Sequence, residues 1–91
     1  MTTINVTAEH IENGVRENCE RCPVALAIMD AFPGASGIYV ESRVFSISRD
    51  GYRRDEIKLP REASEFIWDF DASKTVQPFS FELDYPAEVA A

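Results

Sequence analysis

The chain has one histidine, two cysteines and four glycines among its 91 residues, and each shortage closes off a chemistry. His10 stands between Glu9 and Glu12 with no second histidine and no nearby nucleophile, so it reads as a surface or capping residue rather than a catalyst. Gly14, Gly34, Gly37 and Gly51 are scattered, which leaves neither a phosphate-cradling loop nor a GxSxG elbow. A structural zinc site wants four ligands, and Cys19, Cys22 and His10 fall short of that set. The chain therefore reads as non-enzymatic, with no catalytic residue, metal or cofactor assigned. No apolar run approaches about 18 residues, and Met1 to Thr7 shows no basic segment followed by an apolar one, so the expectation is a cytoplasmic protein without a membrane partner. An excess of positive charge is missing too. The net charge is −7 and the isoelectric point near 4.5, which argues against direct binding of duplex nucleic acid.

What is present fits one small folded domain. An apolar fraction of 45% with 27% charged residues is that of a globular chain rather than a disordered one. Ninety-one residues lie near the lower end of what folds alone on a single core, so a homo-oligomer remains an open alternative. Residues 1–91 are read as one α+β domain, with 85–91, from Tyr85-Pro86 onward, as a frayed tail.

Local signals give the elements. Thr3 to Val6 alternates polar and apolar residues as a short strand does, with Ile4 and Val6 on the core face. Thr7 is the expected N-cap of a helix over Ala8 to Asn13, and Gly14 the expected left-handed residue that ends it. Pro23 to Phe32 predicts a second helix, apolar nearly all round and so covered on more than one side. Its Leu26 and Met29 point away from the narrow face of Val24, Ala27, Ile28 and Ala31, toward either the first helix or a second subunit. Strands follow at Ile38 to Val40, Val44 to Ser48 and Glu56 to Leu59. Asp50-Gly51 suggests a two-residue hairpin, but that register would mix Phe45 and Ile47 with charged residues on one face. A loop of three or five residues instead places Phe45, Ile47 and Ile57 together.

Pro60 opens a third helix with the stripe Ala63, Phe66, Ile67 and Phe70, and a last strand with inward Phe79, Phe81 and Leu83 runs within Thr75 to Asp84, Pro78 confining it to an edge or a start. The order is β-α-α-β-β-β-α-β, and the economical arrangement is a single-layer antiparallel sheet with helices packed on it.

Three features point outward. Six of the nine basic residues, Arg43, Arg49, Arg53, Arg54, Lys58 and Arg61, fall within 43–61, a stretch at +3, whereas 62–91 is at −6. Such asymmetry offers an anion a local site inside an anionic body. Arg49, Arg53 and Arg54 around Tyr52 combine forked donors with an aromatic face, and are the candidate ligand-binding set for an anionic small molecule such as a nucleotide. The plainer reading is a soluble hairpin protected against strand addition. Trp68 lies off the apolar stripe of its helix, so it either anchors a partner together with Leu26 and Met29 or lies flat against charged stems. On that alternative the chain is a protein inhibitor or adaptor, and its acidic surface could mimic a nucleic-acid backbone. Third, Cys19-Glu20-Arg21-Cys22 precedes Pro23, which puts Cys22 at or beside a helix N-terminus. The upstream segment is polar rather than a buried strand, unlike the thioredoxin arrangement, yet the helix dipole would favour a thiolate at Cys22 and a reversible bridge to Cys19 stays open.

The segments Ile4-x-Val6-Thr7-x-x-His10-Ile11, Cys22-Pro23-Val24-Ala25-Leu26-Ala27-Ile28 and Leu59-Pro60-x-x-Ala63-x-x-Phe66-Ile67, followed by Phe70-Asp71 and Pro78-Phe79-x-Phe81, resemble those of a group of short proteins from bacteria and their phages. The resemblance implies an accessory, host-interaction or anti-defence role exercised by occupying a host protein or sequestering a signal. Its motifs are mostly core and cap positions and carry over no functional residue.

Overall fold

A computed structural model of the chain describes residues 1–48, 51 and 53–85. The elements are β1 (Thr2–Val6), α1 (Ala8–Asn13), α2 (Pro23–Ala31), β2 (Gly37–Val40), β3 (Val44–Ser48), β4 (Arg54–Lys58), α3 (Arg61–Asp71) and β5 (Phe79–Leu83). The expected α+β class and order hold.

The strands divide into two antiparallel sheets rather than one. β1 pairs with β5 from Thr2 opposite Leu83 to Val6 opposite Phe79, and β2, β3 and β4 form a meander. One reason for the separation is visible at the edge of β2. The outward N–H of Val40 donates to the carbonyl of Cys19 at 2.7 Å, so the loop between α1 and α2 takes a bond that a further strand would need. On the other side β4 presents Arg54, Asp55, Glu56 and Lys58, a charged edge that disfavours strand addition.

The third and fourth strands pair as Phe45 with Ile57 and Ser48 with Arg54, so residues 49–53 connect them and the loop is odd. Phe45 and Ile57 thus share the inward face, as the apolar pattern requires. Gly51 has φ of +83° and donates its N–H to Ser48 Oγ at 3.1 Å, a left-handed position that glycine occupies without the Cβ clash other residues suffer.

α2 packs against β1, β2 and α1, which explains why it is apolar nearly all round. Val24, Ala25, Ala27 and Ile28 are buried, and Ile4, Val6, Phe81 and Leu83 of one sheet meet Ile38, Phe45 and Ile47 of the other in the same cluster. α3 adds Ala63, Phe66 and Ile67 from its apolar stripe.

Two local expectations are corrected. Gly14 is extended, with φ of −69° and ψ of 150°, and is not a left-handed cap. It is needed for space, because a Cβ there would lie 2.6 Å from the ring of Pro23. The left-handed role appears instead at Ser73, φ 63°, where Lys74 N–H reaches Asp69 O and Ser73 N–H reaches Phe70 O to close α3 in a Schellman motif.

Tyr85 is not frayed. Only 8% exposed, it meets Phe32 and Phe45 edge-on, donates its hydroxyl to Asp55 at 3.0 Å, and accepts at its carbonyl from Thr2 Oγ1. Burial of the ring and two long-range bonds fasten the C-terminal side of β5 to both sheets. The remainder of the expected tail, 86–91, lies outside the described residues.

Candidate functional site

The cations that are consecutive in sequence separate in space. β4 alternates its side chains, so Arg54, Glu56 and Lys58 stand on the outer sheet face while Asp55 and Ile57 turn inward. Tyr39 shares that outer face, aligned through Ser46 with Glu56, and is half exposed. Arg61 is bound along its own helix to Glu65 at 2.9 Å. Arg43 follows the turn after β2 and places its guanidinium carbon 5.9 Å from the centroid of the Trp68 ring. Arg53 is exposed just before β4. Arg49 and Tyr52, the other members of the expected ligand set, lie outside the described residues. Of that set the structure thus shows Arg53 and Arg54, with the acid Glu56 interposed between Arg54 and Lys58.

Trp68 is 48% exposed on α3. Helical spacing aligns Arg61, Glu65 and Trp68 on one outward ridge, with Glu62 and Asp69 on the neighbouring row. Ala63, Phe66 and Ile67 fill the interior, so nothing in the core requires the indole. Arg43 covers one side of it, and a guanidinium over an exposed indole contributes about 0.5–1 kcal/mol. Beside the ridge a cavity of about 280 Å³ is floored by Phe66, Val76 and Phe79 and rimmed by Glu62, Glu65 and Asp69. Phe66 and Phe79 stack at 4.7 Å beneath it.

Leu26 and Met29 are placed elsewhere, in a groove of about 410 Å³ between α1 and α2. α1 covers Leu26 in part, and Met29 stays exposed. His10 lines the same groove and has two local tasks. Its Nδ1 accepts the N–H of Thr7 at 3.0 Å while Thr7 Oγ1 accepts the N–H of His10, a capping box with histidine in the place usually held by Glu or Gln. Its Nε2 lies 2.6 Å from Asp30 Oδ2, and the side chain is 13% exposed. With Nδ1 an acceptor, Nε2 carries the proton and donates to the carboxylate. Both nitrogens are engaged. The Thr7 cap was legible from sequence; the Asp30 partner, twenty residues away, was not.

The cysteines are free thiols on the loop and helix edge. Cys22 caps α2, its Sγ accepting from Ala25 N–H at 3.4 Å, with Pro23 at the first helical position. Burial pushes its thiol above the ordinary value, and the N–H groups of Ala25 and Val24 offset this only in part. The expectation that the helix dipole would favour its thiolate is therefore corrected, because desolvation outweighs the helix terminus. Cys19 is half-buried, and its thiol pushes the pKa of the neighbouring Tyr39 hydroxyl above the ordinary tyrosine value. Tyr39 was missed as a surface aromatic, although alternation between Ile38 and Val40 points it outward.

Among the described residues no group of three His, Cys, Asp or Glu side chains is placed to hold a metal, and no helix is long and apolar enough to cross a membrane. No family model, curated protein or solved structure matches the chain.

Proposed function

We propose that the chain is a non-catalytic binding protein that occupies a protein partner through the outward ridge of α3, with Trp68 as anchor. The observation that carries this reading is the half-exposed indole, held by Arg43 on a helix whose apolar stripe is already buried. A large aromatic fixed on a ridge loses little freedom on docking, which is why such residues carry interface energy out of proportion to their number. Glu62, Glu65 and Asp69 beside it favour a partner surface that is basic around an apolar contact.

A second reading is supported by Arg54 and Lys58 on one face of β4 with Tyr39 nearby: capture of an anionic small molecule such as a nucleotide at the hairpin. The interposed Glu56 makes it the weaker of the two, since an acid between two cations opposes the local positive field. Either reading agrees with the accessory, host-interaction role that the resemblance to short bacterial and phage proteins implies.

The experiment is native mass spectrometry of the protein isolated from its own cells, for the wild type, Trp68→Ala and Arg54→Ala. A stoichiometric protein retained by wild type and Arg54→Ala but lost from Trp68→Ala supports the α3 reading. Calorimetric titration with mono-, di- and cyclic nucleotides tests the other, in which Arg53→Lys and Arg54→Lys weaken binding and alanine weakens it further. Heat from a nucleotide, abolished in Arg54→Ala and untouched in Trp68→Ala, would displace the α3 reading.

A further inference from the structure

The segment from Asn18 to Cys22 folds back on itself more tightly than a connecting loop requires. Asn18 accepts at its carbonyl from Cys22 N–H at 3.0 Å and at its side chain from the N–H groups of Glu20 and Arg21, each at 3.0 Å. This closes one helical-type turn, so Cys19 and Cys22 stand three residues apart on it, a spacing that brings side chains to neighbouring positions. Both cysteines border one cavity of about 200 Å³, together with Ile67 and Asp71 of α3. The two are unequally placed, Cys19 half-buried at the rim and Cys22 only 4% exposed beneath it. Cys19 is also held from β2, its carbonyl accepting from Val40 N–H at 2.7 Å.

We propose that Cys19 and Cys22 are a reversible dithiol site, in which Cys19 attacks a low-molecular-weight disulfide and Cys22 resolves the product to a Cys19–Cys22 bond. In the first step the Cys19 thiolate bonds to one sulfur of the oxidant, whose S–S bond breaks and whose other sulfur leaves as a thiol after taking a proton. In the second, Cys22 gives its proton to solvent and attacks the Cys19 sulfur, and the remaining small thiol departs. Two protein thiols are oxidised and one disulfide is reduced to two thiols. The order follows from access, because only Cys19 reaches the rim. Closure withdraws Cys22 Sγ from Ala25 N–H and so acts on the cap of α2, while the Cys19 carbonyl transmits it to the edge of β2 that it bonds at Val40.

The test is equilibration of the full chain in mixtures of glutathione and glutathione disulfide, acid trapping, and intact mass with thiol counting. The expected product is a monomer that has lost two hydrogens and both of its free thiols. It forms at a lower oxidant ratio in the native chain than in the same chain in guanidinium, since the native turn already fixes the two cysteines three residues apart on one helical-type turn. Cys22→Ser accumulates a mixed disulfide at Cys19, whereas Cys19→Ser reacts at Cys22 at least roughly tenfold more slowly because that thiol is buried. The proposal is overturned if the native chain keeps both thiols, if a Cys19 mixed disulfide persists in the wild type, if two chains become linked, or if native and denatured midpoints coincide.

Discussion

α2 and α3 both begin beside a proline and differ in what they do with their apolar residues. α2 spends them in every direction: it touches both sheets and α1, and its buried Val24, Ala25, Ala27 and Ile28 leave it no independent surface beyond the groove at Leu26 and Met29. α3 divides itself. Ala63, Phe66 and Ile67 go inward, and a tryptophan, the largest side chain it has, goes out among carboxylates. α2 is where stability resides, and on the proposed reading α3 is where a partner gains affinity without the core being opened.

The largest expected effect tests the interior half of that contrast. Ile28→Ala should cost about 2–5 kcal/mol in denaturant unfolding, because its site is enclosed by two sheets that cannot both collapse into the void. A loss below about 1 kcal/mol would mean that α2 is not the packing centre.

Next comes the N-terminus of α2, where a backbone close approach replaces a side-chain contact. Gly14→Ala places a methyl within 2.6 Å of the Pro23 ring, and the enforced shift should cost about 1–3 kcal/mol, measured by thermal or denaturant melting. An unchanged protein would show that the loop yields without disturbing the helix.

Cys22 sharpens the same region through pH. Its thiol is raised in the folded state, chiefly by burial, so above the ordinary thiol value of about 8.5 the unfolded chain releases a proton that the folded chain retains. Stability from this group is fully present below that pH and falls as pH rises toward the folded value, by at most about 1.4 kcal/mol per pH unit. Cys22→Ser keeps a hydroxyl to cap Ala25 and should flatten the alkaline limb of a reduced sample. An identical alkaline slope in wild type and variant would remove Cys22 as its source.

The smallest change in stability belongs to the outward half. Trp68→Ala should lower unfolding free energy by no more than about 1 kcal/mol, the scale of its contact with Arg43, while removing partner binding. A loss of about 3 kcal/mol or more would place the indole in the core and end the comparison.

Much of the chain was legible because its rules are local. Thr7 and Cys22 as caps, Pro23 at the first helical position, the stripe of α3 and the odd hairpin loop all follow from short-range spacing or from alternation about a turn. Trp68 could be placed outside the stripe by periodicity alone. Clustering of Arg43, Arg54 and Arg61 could not be read from their closeness in sequence, since strand alternation and helix phase send neighbouring residues to opposite faces. The division into two sheets, the seating of Tyr85 on Phe32, Phe45 and Asp55, the pairing of His10 with Asp30, and Arg43 over Trp68 depend on groups twenty or more residues apart. Such contacts exist only once separate elements have packed, and a residue type in sequence does not specify its distant partner. Gly14 shows the limit most plainly: sequence marked a place where a Cβ is unwelcome, and only the packed structure decided that the reason was the ring of Pro23 rather than a left-handed turn.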